Sequence, residues 1–505
     1  MGSFDQSSLK GIPPFLASIT LLQWIALAGA VLITHTLISY GYNAYFHPLS
    51  KYPGPRLASV SSLWEIYFLC TGKWPWAIEN ALKRYGDVVR TGPNSLVFMK
   101  PQAVTGKPYV SPIVSHMLIC SKDIHGPKRN LQGTFVKTAF VDGLGDEDDG
   151  LLWERDPEKH RRIAKKMSPA FSGNSLRAKE PTMHKHIDLM MRRLEEHVKN
   201  HPFLDSMEAV NFLVVIMVAT KTYPILGPVV LLLVPWRVVR SLPRLIGELR
   251  KQIVGRIGRR QNLEHSDYFE QLLPANEPVA KEDRRIRHML TVTGQLIVGG
   301  YDPTSFAIYM MFYYLLQSPD SLEQLKQEIR GAFSCYESIT SDELRGLPWL
   351  NACLSETLRL SAAATHHSLP RLSPGAVVGG DYIPKGVLCR TSLFAYSRND
   401  RFFHEPRSFK PERWLSQDHP MYNAVFATDD RSAHFPFIIG PRQCPGREVA
   451  KMMLRLVVAK MFWLFDVEQV SGKLDFDKDF RVYGMWQKPE LRVRLVKRRK
   501  MAIPE

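Results

Sequence analysis

Cys444 is the residue best placed for sulfur chemistry. It lies in the segment Phe437-Ile-Ile-Gly-Pro-Arg-Gln-Cys-Pro-Gly446, just before a predicted helix. A helix N-terminus offers unpaired N–H groups and a partial positive charge, and both stabilise a thiolate. Arg442 adds a full positive charge two residues away. Gly440 and Gly446 permit tight turns beside a bulky group. Pro445 suits the first turn of the helix that follows. Phe437 is placed to cover one side and limit water. A thiolate held in this way is a soft ligand suited to iron. For a lone cysteine the alternative is a buried structural thiol.

Other groupings carry charge. Glu356-Thr-Leu-Arg359 has the i, i+3 spacing that pairs side chains on one helix face. In a long predicted helix, Arg284 to Gln317, the run Gly299-Gly-Tyr-Asp-Pro-Thr304 puts Asp302 and the hydroxyls of Thr304 and Ser305 together. Two glycines and a proline inside a buried helix carry a large propensity penalty. Pro303 lacks an N–H, so the helix is expected to kink or open there. Asp156-Pro-Glu-Lys-His-Arg-Arg162 begins a basic helix, which by itself reads as a solvated face.

The Cys444 segment resembles the haem-binding loop of the cytochrome P-450 family, F-x-x-G-x-R-x-C-x-G, and matches every fixed position. Phe409-Lys-Pro-Glu-Arg-Trp414 is similar to that family's P-E-R-F element. The resemblance implies that Arg413 joins Glu356 and Arg359 in a buried structural lock behind the haem. It also implies that Cys444 is the axial ligand of haem b (iron protoporphyrin IX) and that Phe437, Gly440, Arg442 and Gly446 shape its seat. His160 and Arg161 match the propionate-facing helix of fungal members, and Arg371, in Leu369-Pro-Arg, matches another propionate contact. Asp302 and Thr304 become the catalytic residues on the oxygen side. There the sequence departs from the family's A/G-G-x-D/E-T-T, because Pro303 replaces a threonine whose hydroxyl helps deliver protons. Thr304, Ser305, water or a substrate hydroxyl stands in for it.

Something must position these residues. The chain has 505 residues, 45% apolar and 23% charged, which is globular composition. Its six cysteines are scattered, with no C-x-x-C pair, so neither a disulfide scaffold nor a structural zinc site is expected. No charged residue occurs between Lys10 and Lys51, and Phe15 to Ile33 is nearly all apolar. As a helix that run reaches about 28 Å, close to the thickness of a bilayer core. It exceeds a signal-peptide core, and no A-x-A cleavage pattern follows it. The expected organisation is a lumenal tail (1–14), a transmembrane anchor (15–40), a proline-rich hinge (41–56) and one catalytic domain (57–505). Lys51, Arg56, Lys73, Lys83 and Arg84 follow the anchor, which favours a cytosolic body on a single-pass endoplasmic reticulum protein.

The fold expected is mainly α with short β-sheets, a cytochrome P-450 fold behind the anchor. Predicted elements include a helix at 76–85 and a strand pair at 88–99. Further helices are expected at 157–166, 181–198, 321–333, 342–360 and 445–465, with proline-broken strands over 369–390. The apolar run 224–236 is too short and broken to span a membrane, so it is buried or dips into the lipid surface. The stretch from Phe171 to the long helix looks shorter than the family norm.

The hinge sequence Phe46-His-Pro-Leu to Pro53-Gly-Pro55 looks like that of filamentous-fungal members, which tailor small organic molecules. The resemblance therefore implies a haem-thiolate monooxygenase acting on a small, largely apolar substrate in secondary metabolism. Tyr301 and 363–369, with His366 and His367, would face that substrate. No flavin or nicotinamide fingerprint occurs, so NADPH would act indirectly through a cytochrome P-450 reductase, with cytochrome b5 as a further donor. The net charge of +17 suits an acidic docking partner and anionic lipid; nucleic acid is not expected. Two rival functions stay open: a reductase-independent haem-thiolate isomerase or dehydratase, and a non-catalytic haem-binding membrane protein.

Overall fold

The computed structural model describes residues 20–99, 123–125, 134–138, 150–195, 236–259, 267–268, 283–361 and 370–498. The tail 1–14, the segment 106–120, the acidic loop 146–149, the apolar run 224–235 and the loop 363–369 lie outside the described residues. So does much of the stretch that reads as short, between Phe171 and the long helix.

Helix α1, Leu21–Gly41, starts at a Thr20 cap and buries none of its residues. With the turn of π-helix Tyr42–Phe46 it forms 26 continuous residues of mean hydropathy 1.8. That is long and apolar enough to cross a membrane. The next segment is strapped to the body. Leu49 is fully buried. The Arg90 N–H donates to Pro53 O at 2.8 Å. The Arg90 guanidinium donates to Asn43 O at 2.8 Å and Pro93 O at 2.7 Å. A Cβ on Gly54 would stand 2.2 Å from Arg90 O, so only glycine fits there.

Beyond the strap, α2 (Trp74–Tyr85) leads into the hairpin β1 (Val88–Gly92) and β2 (Ser95–Phe98). Sequence-distant strands complete the sheet in the order β1-β2-β7-β4-β3, with β7 at Leu388–Thr391, β4 at Arg371–Leu372 and β3 at Val136–Lys137. β2 and β7 are parallel; the other pairs are antiparallel. The hairpin of β5 (Ala376–Val378) and β6 (Asp381–Ile383) lies between β4 and β7 in the chain.

Helices form the rest of the core. These are α3 (Pro157–Met167), α4 (Gly173–Glu195), α5 (Trp236–Gly258), α6 (Asp283–Leu316), α7 (Pro319–Ala332), α8 (Pro348–Ser361) and α9 (Arg447–Leu464). Helix α9 is central: Leu456, Val458, Ala459, Phe462 and Leu464 are fully buried, with Met311 and Leu315 of α6 and Leu325 and Ile329 of α7 in the same cluster. Strand β8 (Phe465–Gln469) continues from α9 and pairs with β11 (Val493–Lys497); β9 (Arg481–Val482) and β10 (Trp486–Gln487) form a small hairpin between them.

Three boundaries differ from expectation. Helix α4 starts at Gly173, so Pro181 is interior and not a start. The single helix expected over 342–360 is two, Ser341–Arg345 and α8, because Gly346 caps the first and Pro348 opens the second. Helix α9 starts at Arg447 with Gly446 as its cap, so Pro445 precedes the helix. Helix α6 runs as one helical segment through Pro303. The proline leaves the Gly299 carbonyl without its i+4 amide donor.

Candidate active site

The loop before α9 reverses on two left-handed residues, Ile438 (φ 58°) and Gly440 (φ 86°). Ile438 is β-branched, so this conformation stores strain of roughly 1–3 kcal/mol. The loop is closed by Cys444 N–H donating to Phe437 O at 2.9 Å and Gln443 N–H to Gly440 O at 3.0 Å. Gly440 is required by its backbone. Gly446 is not: its φ of −81° is open to any residue, and a Cβ would meet Cys444 Sγ at an ordinary 3.9 Å. Cys444 lies on the exposed side of the loop. Surrounding protein raises its thiol pKa, while the Gly446 N–H and the Arg447 charge pull it down without reversing the shift. The helix-terminus effect is present, but its nearby cation is Arg447.

Arg442 points elsewhere. Its guanidinium donates to the carbonyls of Glu154 and, at 3.2 Å, Arg155. Those residues follow the short helix Gly150–Trp153, which Gln295 of α6 clamps by accepting Leu152 N–H at 2.8 Å. Lys137 of β3 donates to Leu152 O. Next to this junction sits His160. Asp156 caps α3 by accepting from Glu158 N–H at 2.7 Å, which sets the helix phase. His160 and Met167, seven residues apart, share its buried face. Burial, then the charges of Arg442, Lys137 and Arg371, push His160 down to about 3. Arg371 of β4 is pushed down to about 10 by burial and by Arg442, and its Nη1 is buried without a hydrogen-bond partner. His125 is pushed to about 3 by burial and then by Arg371. The junction thus gathers two histidines and three cations.

Arg161 does not join them. One residue on from His160 is a 100° turn of the helix, and Arg161 projects into solvent beside Glu158 at 3.4 Å. The structure therefore brings His160, and not Arg161, to this junction.

Phe437 packs against the cluster formed by Ala307 of α6, Leu354 and Leu358 of α8 and Leu454 of α9. Ala307 lies five residues from Asp302 along α6, about one and a half helical turns. Asp302 is buried, and burial pushes its carboxyl up to about 6 against the opposing pull of Lys488. Ser305 Oγ donates to Asp302 O at 3.0 Å. Thr304 is half-buried. Gly299 and Gly300 are exposed, and a Cβ on either would meet open space.

Behind the loop, Glu356, Arg359 and Arg413 come together with no exposed surface. Arg359 grips Glu356 through two bonds of 2.8 Å, and Arg413 Nε adds a third at 3.0 Å. Trp414 Nε1 and the Lys410 N–H also donate to this carboxylate, at 2.9 and 3.0 Å. Burial raises the carboxyl pKa, but the two guanidiniums and the amide outweigh it and hold it below the usual range. The remaining guanidinium groups tie down Pro406 O, Ser408 O, His404 O and Asp429.

Comparison with known proteins agrees with this geometry. The family model described as Cytochrome P450 matches residues 240–493. The cytochrome P450 monooxygenase TwmD of Talaromyces wortmannii is 39% identical over 92% of this chain and 96% of that protein. The chain belongs to the cytochrome P450 family. Monooxygenase poxC of Penicillium oxalicum is 34% identical over 90% of each chain, and btcC of Colletotrichum orbiculare 32% over 95% of each. This P450 is accordingly an oxidoreductase of the monooxygenase class, with haem as its cofactor.

The residues fit haem. The Cys444 thiol, exposed on its loop before a helix N-terminus, is a soft donor of the kind that iron accepts. The orphaned Nη1 of Arg371, with Arg442 and His160 beside it, matches the need for an anionic group such as the two propionates. Of the residues named from the sequence of this P450, Arg371, Arg442 and His160 come together here; Lys137, His125 and Lys488 were not named. None of these three stands in a local motif, and each reaches the site only through tertiary pairing.

Proposed function

We propose that this P450 is a membrane-anchored haem-thiolate monooxygenase that oxidises a small, largely apolar organic substrate in fungal secondary metabolism. Its electrons come from NADPH through a separate reductase, with cytochrome b5 as a further donor. The observation that carries the reading is an exposed thiol at Cys444 whose loop also carries Arg442, close enough in charge to affect Arg371, one buried nitrogen of which has no hydrogen-bond partner. The fungal sources of the relatives support the biological setting. Helix α1 supports single-pass insertion in the endoplasmic reticulum, and the basic charge supports an acidic docking partner.

In this reading Cys444 would hold the iron, and Arg371, Arg442 and His160 would hold the propionates. When bound, the haem supplies dioxygen activation, which thiolate ligation favours. The chain does the rest. Phe437 limits water on the cysteine side. The locked Glu356–Arg359–Arg413 unit keeps the loop rigid from behind. On α6, Asp302 titrates close to neutral pH and can hold or release a proton at its carboxyl. The Gly299 carbonyl and the hydroxyls of Thr304 and Ser305 supply acceptors and donors where the family's threonine is absent.

Cys444→Ala tests the ligand assignment. The red-shifted Soret band of the ferrous–CO complex should disappear, and its survival in folded protein would overturn the assignment. Comparing metabolites of a producing strain and its deletion mutant should reveal the substrate. The proline at 303 favours one second reading, an isomerase or dehydratase. Product formed without NADPH or reductase would establish that reading and remove the monooxygenase.

A further inference from the structure

The face of α6 that carries Asp302 is covered by a segment from the far end of the chain. Residues 302, 305, 306 and 309 share one helix face by their spacing. Three residues after β9 run along it. The Trp486 ring stacks on Phe306, with centroids 4.5 Å apart and planes 7° from parallel. Lys488 Nζ donates to Ser305 Oγ at 3.4 Å. Pro489 O accepts from Tyr309 Oη–H at 2.8 Å. A lysine side chain is flexible, but this one is anchored on both sides by contacts to the same helix face.

We propose that Lys488 is a positioning residue for proton handling: its ammonium, fixed over Ser305 by Trp486 and Pro489, is the means by which the C-terminal segment controls the protonation of Asp302. The proposal rests on the monooxygenase reading for the importance of Asp302. The geometry stands independently of it.

The electrostatics of both partners agree in sign. Burial raises the Asp302 carboxyl and Lys488 lowers it; burial lowers the Lys488 ammonium and Asp302 raises it. Tyr301 is the titratable neighbour on α6 itself, and burial followed by the Asp302 charge pushes its phenol up. Among the described residues, Lys488 is the charged group that acts on the carboxyl. Without it, burial acts alone and Asp302 holds its proton to higher pH. Ser305 bridges the two elements, accepting from Lys488 and donating to the Asp302 carbonyl. This arrangement sits where a second hydroxyl, at 303, would otherwise share the work.

The test is pH-difference infrared spectroscopy of the full chain at rest, with the carboxyl band assigned by its loss in Asp302→Asn. In Lys488→Met the Asp302 midpoint should rise by about one pH unit, the lower end of the effect of an opposite charge. Lys488→Arg should restore it. During turnover the pH profile of kcat should shift the same way, with KM unmoved. An unchanged midpoint in folded Lys488→Met overturns the proposal; if that variant does not fold, Lys488→Gln gives the same reading. Failure of the wider reading looks different: a wild type with no ferrous–CO band at the red-shifted position loses the monooxygenase function, while the Asp302 band still reports on Lys488.

Discussion

Glu356 carries five hydrogen bonds on one carboxylate, all inside the protein. Removing one partner of such a buried ion pair typically costs about 3–5 kcal/mol, because a charge is left uncompensated. Glu356→Gln should therefore lower the thermal midpoint and the yield of haem-loaded protein, whereas Arg161→Ala, at a solvent-exposed pair, should leave both in place. A calorimetric scan of each variant checks this. His434 gives a pH dependence. Burial, then the Arg359 charge, push it down to about 3, whereas an unfolded histidine titrates near 6.5. The unfolded chain binds the extra proton between those values. The contribution of neutral His434 is thus complete above about pH 6.5 and is lost as pH falls toward 3. His434→Gln should make unfolding free energy less steep in pH over that window by about one proton, as measured by denaturant titration. At this scale the sequence was legible wherever chemistry is packed into a short motif. The Cys444 loop and the Glu356–Arg359 spacing could be read directly. Choosing between His160 and Arg161 could not, because a run of basic residues does not reveal which face a helix buries. Lys488 left no local mark at all, since its partner Ser305 lies 183 residues away.

The elements were legible in kind and less so at their ends. Hydrophobic runs and prolines marked α2, α6, α7 and α9, while Gly346 and Pro348 were not read as the break they form. Pro303 is the element-scale case with a consequence for activity. Pro303→Thr restores an amide to the Gly299 carbonyl and removes a helix penalty of about 3 kcal/mol, so the helix should gain protection from amide hydrogen exchange. It also adds a hydroxyl beside Asp302. Positioned proton transfer is commonly worth about 10²–10⁴-fold, so the ratio of product formed to NADPH consumed should rise. A ratio already complete in the wild type, and unchanged in Thr304→Ala and Ser305→Ala, would assign the relay to water or substrate. The strap between anchor and sheet offers a steric test. Gly54→Ala forces a Cβ against the Arg90 carbonyl. Overpacking of this kind usually costs about 1–3 kcal/mol, and here it should loosen the Arg90 contacts first, seen as proteolysis between Asn43 and Arg90 ahead of global unfolding.

The whole molecule reads as a basic, helix-rich body attached to one apolar helix. The class was evident from composition and motif, but the five-stranded sheet was not, because it joins β1–β2 to strands from residue 136 and beyond 370. With α1 inserted as proposed, protease added to intact microsomes should digest the body, and carbonate washing should leave the protein in the membrane; full protection would invert the topology. The strap has a mechanical consequence. Because α1 passes through a helical turn into segments buttoned down by Arg90, the anchor behaves as a mast set rigidly in a deck and not as a tether. One residue inserted between Gly41 and Tyr42 would then rotate the mast against the body by about 100° and move different faces of the body toward the lipid. A flexible tether would absorb the same insertion without effect. The orientation of the haem plane in aligned bilayers, read by linear dichroism, would report the difference as an angle.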